Sequence, residues 1–149
     1  MSGFSPARNP NRRSSQRSNI VKFFTDKTMD TDKLIELTRN YVTLPNDHNL
    51  QFIQLLFADD ATYHSAYFGE YKGSTAIHAM MASFFTRFPD AHWEVAEYRG
   101  IEDNGVEFTF LMTGLDASSG ERVIRQGLER IHFTPDGLIK HIAVLKPHN

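Results

Sequence analysis

The chain has 149 residues, of which 40% are apolar and 12% aromatic, and this composition is sufficient for one domain with a single hydrophobic core. It contains no cysteine, which excludes disulfide frameworks, thiolate nucleophiles and cysteine-ligated zinc sites. No apolar run in the sequence approaches the roughly 20 residues of a membrane-spanning helix. We therefore expect a soluble, cytoplasmic protein that does not enter a membrane.

The formal net charge of −2 combines two regions of opposite charge. Residues 1–25 contain no acidic residue and five basic ones, Arg8, Arg12, Arg13, Arg17 and Lys22. Removing these five from the 16 basic residues leaves 11 against 18 acidic ones, so the remainder has a net charge of −7. Few apolar groups offset the entropy of ordering the basic segment. We predict a disordered basic tail over residues 1–28 and one domain over residues 29–149.

The composition of the tail also allows a second interpretation. An N-terminus rich in Arg and Ser and free of acidic residues is typical of organellar transit segments, so an organellar location is the alternative to a cytoplasmic one. Nucleic-acid binding is not expected, because the arginines are not interleaved with aromatic residues and the acidic domain would repel phosphate.

Apolar residues at helical spacing predict a hairpin of two helices. The first follows Asp30 or Thr31 as N-cap and ends at Pro45. The second covers residues 50–57. It runs into the aspartate pair at residues 59–60, which we expect to cap the end of the helix rather than to act in catalysis.

A short strand and a third helix are predicted next. Residues 61–67 favour a strand, and Gly69 and Gly73 bracket the turn that follows it. Ser74 is a suitable N-cap for the third helix, which Pro89 ends.

From residue 92 onward, apolar residues recur with the period of two that is typical of strands. Turn sequences containing Gly, Asn or Asp separate the segments, which predicts an antiparallel meander. The predicted strands are residues 92–101, 106–115, 121–134 and 138–145. Helices followed by such a meander form an α+β domain, in which a curved sheet wraps over the helices and encloses a cavity.

Two sequence motifs resemble those of a known fold. The "ADDAT" of residues 58–62 and the "FTPDGLI" of residues 133–139 look like the nuclear transport factor 2-like fold, and more narrowly its SnoaL-like and ketosteroid isomerase-like branch. The resemblance covers about residues 31–146. It implies a cone-shaped fold with three N-terminal helices packed in a curved antiparallel sheet. The fold hosts isomerases, cyclases, dehydratases, hydrolases and binding proteins, so it does not by itself specify an activity.

The resemblance also suggests catalytic residues. In ketosteroid isomerase-like members an Asp is the general base, while a Tyr and a protonated carboxylic acid hold the oxyanion. The tyrosine position falls on Tyr41 and the acid position on Glu129, but the base position falls on Ser65. Serine is not a base at neutral pH, so His64 is the candidate replacement. Since side chains alternate along a strand, His64 faces the cavity only if a bulge turns it inward.

Alternation along the predicted strands also suggests ligand contacts. Tyr63 and Ser65 share one strand face, and Arg125 and Glu129 share another. We predict that Tyr63, Ser65, Trp93 and Arg125 contact a small hydrophobic molecule. For Arg125 and Glu129 the alternative is a structural role in an ion pair across strands or across a dimer interface. The pattern leaves open whether Trp93 and the apolar residues 108–112 line the cavity or the opposite sheet surface.

The face opposite Glu129 suggests a partner rather than a metal. The turn at residues 134–137 predicts that Arg130 lies directly opposite His141. His132 and His141 would then be diagonal neighbours on the same face. Two histidines beside an arginine lack a third ligand for a divalent ion. Both faces of the predicted sheet carry apolar groups, so we expect a homodimer through the sheet.

Two main hypotheses for function follow. The first is an enzyme that needs no cofactor and that isomerises, cyclises or dehydrates an apolar carbonyl compound. Tyr41 and Glu129 would stabilise negative charge on oxygen, and His64 or a water molecule would move the proton. The alternative is a non-catalytic ligand-binding or dimeric interaction module, which Ser65 at the base position favours. Association with protein partners, as in nuclear transport, rests on the fold resemblance alone.

Overall fold

A computed structural model of the chain describes residues 28–147. The predicted basic tail, apart from its last residue, lies outside the described residues. The described part contains two α-helices, one 3-10 helix and a six-stranded sheet, which confirms the α+β class. No helix in this part of the chain is long and apolar enough to cross a membrane.

The secondary-structure elements follow one another along the chain in a single order. They are α1 (Thr31–Asn46), a 3-10 helix (Leu50–Leu56), β1 (Phe57–Ser65), β2 (Gly69–Lys72), α2 (Ser74–Arg87), β3 (His92–Ile101), β4 (Gly105–Asp116), β5 (Glu121–Phe133) and β6 (Ile139–Leu145).

Helix α1 has the extent that its apolar spacing predicts. Asp30 is the N-cap residue, and Pro45 lies in the last turn. The buried residues Leu34, Thr38 and Tyr41 recur at intervals of four and three, which places them on one face of the helix. That face turns Tyr41 toward the sheet.

The predicted second helix is wrong in both type and length. Residues 50–56 form a 3-10 helix, and β1 already begins at Phe57. Asp59 and Asp60 therefore lie within a strand, where both are exposed, and they cap no helix. Phe57 pairs with Ile139 of β6, and residues 62–65 pair with both β6 and β2, so tertiary contacts outweigh the helical pattern.

Helix α2 follows β1 and β2, so only α1 and the 3-10 helix precede the sheet in sequence. Its N-cap residue is Gly73, with a φ of 91°, and not Ser74 as predicted. The left-handed backbone at this position favours glycine. Ile77 and Met81 are buried on one face of the helix, and Phe88 is buried just beyond its end.

The six strands form one sheet in the order β2-β1-β6-β5-β4-β3. The meander from β3 to β6 is antiparallel, as predicted, and residues with positive φ occupy its turns, among them Asn104, Gly120 and Gly137. Strand β1 joins the meander by pairing in parallel with β6. The sheet is therefore mixed, and the expectation of a wholly antiparallel sheet is wrong.

The pairing of β5 with β6 differs from the predicted register. His132 lies directly opposite His141, and Arg130 lies opposite Ala143. Phe133 lies opposite Ile139 rather than Leu138, so the turn accounts for one residue of the difference, and the register shift between His132 and Phe133 accounts for the other, since a bulge adds a residue to one strand of the pair. Turn length alone does not reveal such an insertion.

The sheet has two different faces. The helices cover the inner face, which carries the buried residues Phe108, Phe110 and Glu129. The outer face carries the alternate residues of the same strands, including Leu111 and Leu128, and these are half-buried. The inner face and the helices enclose the candidate site.

Candidate functional site

A cavity lies between the two α-helices and the inner face of the sheet. Its free space, including the opening to solvent, is about 760 Å³. Most of its wall is apolar or aromatic, with Met81 and Phe84 from α2 and Trp93 from β3 among the lining residues. Concave, mainly apolar sites with a few polar groups are typical of small-molecule binding.

The structure determines which sheet face the aromatic residues occupy. Trp93, Phe108, Phe110 and Met112 all line the cavity. The side chain of Asn46, at the end of α1, donates a hydrogen bond of 3.0 Å to the Trp93 carbonyl and accepts one of 2.8 Å from its backbone N–H. This pair of hydrogen bonds fixes the start of β3 to the end of α1.

Three of the polar groups in the cavity interact electrostatically. Tyr41 from α1, Tyr63 from β1 and Glu129 from β5 all line it. Burial raises the pKa of Tyr41 and of Tyr63 well above the usual value, and the negative charge of Glu129 raises each further. The two hydroxyls therefore lie within electrostatic range of the carboxyl group.

Glu129 is the cavity residue whose environment is least usual for its type. It is 6% exposed, and its Oε2 atom has no hydrogen-bond partner within residues 28–147. Burial raises the pKa of Glu129 to about 8. At neutral pH the group is mainly a protonated acid that can donate a hydrogen bond, and the carboxylate that can accept a proton is the minor form.

Ser65 lines the cavity but is engaged in a turn. Its side-chain oxygen accepts hydrogen bonds from the backbone N–H groups of Tyr67 (3.0 Å) and Phe68 (3.1 Å). The residue is 3% exposed. Ser65 thus holds the turn after β1, and it offers no proton acceptor comparable to the aspartate of the resembled family.

The idea that His64 turns into the cavity is wrong. Strand β1 pairs regularly over residues 62–65, so alternation places His64 on the outer face. Its side chain is 46% exposed, and its Nδ1 atom lies 3.2 Å from the Glu70 carboxylate. The bulge that would have been needed to turn it inward does not occur at this position.

Arg125 lines the cavity on the same strand face as Glu129. Among the residues that the structure describes, neither Arg125 nor Glu129 forms an ion pair within the chain, so a cross-strand ion pair is absent there. Between them lies Gly127, directly opposite Phe110. A Cβ atom at Gly127 would overlap the ring of Phe110, so glycine here lets that ring cross the strand.

Two residues of the site were not identified from the sequence. Tyr67 and Phe68 follow β1 in a turn, and both line the cavity. The Tyr67 hydroxyl donates a hydrogen bond of 2.7 Å to the carbonyl of Gln126, which ties the turn to β5. Two adjacent aromatic residues in a turn were the available signal, because exposed turns seldom carry them.

The histidines of the outer face form a polar cluster. His141 Nδ1 lies 2.6 Å from the Thr62 hydroxyl. Burial lowers the pKa of His141, and the nearby His132 and His64 lower it further. Within the described residues, no group of three or more His, Asp or Glu side chains could hold a metal ion.

Comparison with known families identifies the domain. The family model of the SnoaL-like domain matches residues 38–142, which is more than half of the chain. No curated protein matches the sequence.

Solved structures share the fold. The epoxide hydrolase/cyclase-like enzyme SalBIII, with a role in pyran ring formation in the polyether salinomycin, has a TM-score of 0.71 at 19% identity, over 78% of this chain and 92% of that one. AclR of Streptomyces galilaeus, provisionally called a hydroxylase, has a TM-score of 0.67 at 21% identity, over 78% and 90%. A ketosteroid isomerase-like protein from Catenulispora acidiphila, in complex with trimethylamine, has a TM-score of 0.66 at 15% identity, over 73% and 83%. These likenesses confirm the nuclear transport factor 2-like fold.

Proposed function

The chain belongs to the SnoaL-like domain family, and we propose that its cavity binds a small apolar carbonyl compound and moves a proton on it without a cofactor. The reaction class is isomerisation, cyclisation or dehydration. The observation that carries the proposal is the buried carboxyl group of Glu129, which has an unpartnered oxygen and interacts electrostatically with two phenol hydroxyls.

Glu129 is the proposed proton carrier. Neither Ser65 nor His64 can serve in the cavity, so the acceptor must be another group or a water molecule. A general base is most effective when its pKa lies near the working pH, and burial raises the pKa of Glu129 to about 8. Its carboxylate form would remove a proton from the carbon next to the carbonyl and return it to another position.

Tyr41 and Tyr63 are the proposed oxyanion donors. Loss of the proton places negative charge on the carbonyl oxygen, and phenol hydroxyls in an apolar cavity stabilise such charge strongly. We expect Tyr41→Phe and Tyr63→Phe each to slow the reaction by about 10²-fold, the lower end of the loss seen when one oxyanion donor is removed.

Hydrogen exchange tests proton transfer without knowledge of the natural substrate. 1-Tetralone, an apolar bicyclic ketone, would be incubated with the protein in D2O, and deuterium next to the carbonyl would be measured by mass spectrometry. We expect exchange about 10²-fold or more above background, rising with pH to a plateau above pH 8.

Variants identify the group responsible. We expect Glu129→Gln to abolish the accelerated exchange while tetralone still raises the melting temperature. Glu107→Gln, on the outer face, is the matched control and should keep full exchange. Full exchange in the Glu129→Gln variant would contradict the assignment.

The non-catalytic alternative has its own support. Ser65 stands at the base position of the resembled family, and its oxygen is occupied by two backbone N–H groups. A binding module would show a melting-temperature increase with apolar ketones but no exchange above background in any variant. That result would replace the enzyme proposal.

The outer face supports a proposed homodimer through the sheet. Ile124 is 72% exposed there, and Leu111, Leu128 and Leu145 are half-buried beside it. Covering such apolar residues with a second copy would remove them from water. Sedimentation should show a dimer that Leu128→Lys dissociates, and a monomeric wild-type protein would refute this proposal.

A further inference from the structure

The guanidinium of Arg125 is surrounded by aromatic rings. Its central carbon lies 4.7 Å from the ring centre of Tyr67, 5.4 Å from that of Phe68 and 5.8 Å from that of Phe88. The hydrogen bond from Tyr67 to the Gln126 carbonyl holds the first of these rings in place. Cation–π contact of this kind uses the faces of the rings and leaves the five N–H donors of the guanidinium available.

Those donors have no acidic partner. In the described part of the chain, Arg125 makes neither an ion pair nor a hydrogen bond with any side chain, although it is half-buried. Burial lowers the pKa of Arg125, and the charges of Asp116 and Arg87 act on it in opposite directions. The Asp116 carboxylate is engaged by Arg87 at 2.9 Å and by the Ser118 hydroxyl at 2.6 Å. A partly buried charge without a counter-ion is costly, which suggests that a ligand supplies one.

Arg125 and Glu129 lie at two separate positions in the same cavity. They are four residues apart on one face of β5, and the Cα atoms of such residues are separated by about 13 Å. The ring of Phe110 crosses the strand between them at Gly127. A ligand that reached both groups would be elongated and would have an apolar middle.

We propose that Arg125 binds a carboxylate of the ligand, so that the cavity takes an elongated keto acid with its carbonyl at Glu129 and its carboxylate at Arg125. This inference rests on the proposed function for the carbonyl end of the ligand. A guanidinium presents two parallel N–H donors that match the two oxygens of a carboxylate. Among the described residues that line the cavity, Arg125 alone is cationic, so it balances the single charge of a carboxylate, whereas a phosphate dianion would need a second cation.

A pair of probes that differ in one charge tests the inference. 4-(4-Oxocyclohexyl)benzoic acid and its methyl ester share a rigid two-ring skeleton and differ only in the carboxylate. By calorimetric titration at pH 7, we expect the acid to bind the wild-type protein at least 10-fold more tightly than the ester. Equal affinity, or no binding of either probe, would overturn the inference.

Variants at Arg125 separate recognition from packing. Arg125→Met keeps an unbranched apolar stem against the rings but removes the charge, so we expect the acid to lose 10-fold or more in affinity and the ester less than 3-fold. Arg125→Lys should retain part of the preference. Arg130→Met, on the outer face, is the matched control and should change neither affinity. If Arg125→Met weakened both probes equally, the role of Arg125 would be the packing of the rings.

The inference and the proposed function fail in different ways. If the wild-type protein exchanges the protons of 1-tetralone but does not prefer the acid, only the carboxylate site is wrong. If it prefers the acid but exchanges neither 1-tetralone nor the keto acid, the carboxylate site stands and the proposed catalysis is wrong.

Discussion

The two faces of the sheet place a glutamate in opposite environments. On the outer face, Glu107 accepts hydrogen bonds from Arg99 at 2.9 Å and Arg130 at 2.7 Å, and these bonds lower its pKa. On the inner face of the adjacent strand, burial raises the pKa of Glu129 to about 8, and its Oε2 atom has no partner in the described region. The outer carboxylate has its counter-ions within the fold, whereas the inner acid is available to a ligand.

The arginines show the same difference. Arg130 on the outer face of β5 is paired with Glu107, while Arg125 on the inner face contacts only rings among the partners that the structure describes. Unpaired charges in an apolar cavity cost stability, so their presence there suggests that function retains them. The contrast teaches that ion pairing, rather than residue type, separates structural from candidate functional charges in this sheet.

The largest expected effect is a pH-dependent gain in stability on Glu129→Gln. Because the folded pKa of Glu129 exceeds the unfolded one, unfolding releases a proton, and rising pH destabilises the wild-type protein between about pH 4.5 and 8. The variant lacks this titration. The free energy of unfolding of the variant should exceed that of the wild-type protein by an amount that grows by about 1.4 kcal/mol per pH unit, to roughly 4–5 kcal/mol above pH 8. Urea unfolding of both proteins at pH 5 and pH 8.5 measures it, and an advantage that does not change with pH would contradict a buried acid at this site.

The next effect concerns the close contact between Gly127 and Phe110. Gly127→Ala places a Cβ atom against the ring, so we expect a loss of about 1–3 kcal/mol in the free energy of unfolding. Adding Phe110→Leu should recover part of that loss, because a smaller side chain leaves room. Gln126→Ala, at an exposed outer position next to it, is the control and should change stability by less than about 0.5 kcal/mol. No loss in the Gly127→Ala variant would show that the inner face is less tightly packed than its geometry indicates.

The smallest effect is a loss of stability on the outer face, opposite in sign to the gain expected for Glu129→Gln. Glu107→Gln removes the charge that pairs with Arg99 and Arg130, which should lower the free energy of unfolding by about 1 kcal/mol at pH 7. Because the folded pKa of Glu107 is depressed, this contribution is present above the unfolded pKa of about 4.5 and disappears as the pH falls through the folded value. Unfolding at pH 7 and pH 3 measures the change. A stabilising effect at pH 7 would remove the contrast between the two faces.

The sequence predicted most of the fold because its signals there are local. The helical spacing of Leu34, Thr38 and Tyr41 and the turn residues Asn104 and Gly137 specify α1 and two hairpins directly. Phe57 was assigned to a helix and Asp59 and Asp60 to its end, because the apolar pattern of residues 50–57 fits a helix; all three lie instead in β1, which pairs with β6 and β2. The predicted pairing of Arg130 with His141 was wrong by two residues, because the pairing next to the turn is offset by one residue and a bulge shifts it by one more.

For the candidate site as well, the sequence predicted some features and only the tertiary structure decided others. Alternation showed that Tyr63 shares a face with Ser65 and Arg125 with Glu129, and the family resemblance suggested Tyr41 and Glu129 as site residues; all five line the cavity. Whether a polar group has a partner depends on strands and turns distant in sequence. Only the tertiary structure decided that Ser65 holds a turn and that His64 faces outward.

The sequence by itself therefore determined which polar side chains share a strand face, Tyr63 with Ser65 and Arg125 with Glu129, because the side-chain period of a strand is a local property. The tertiary structure decided which of them are free to act. Hydrogen-bond partners and burial arise from contacts across the sheet, and they leave Glu129 and Arg125 without an acidic or basic partner in the described structure while Glu107 and Arg130 satisfy each other.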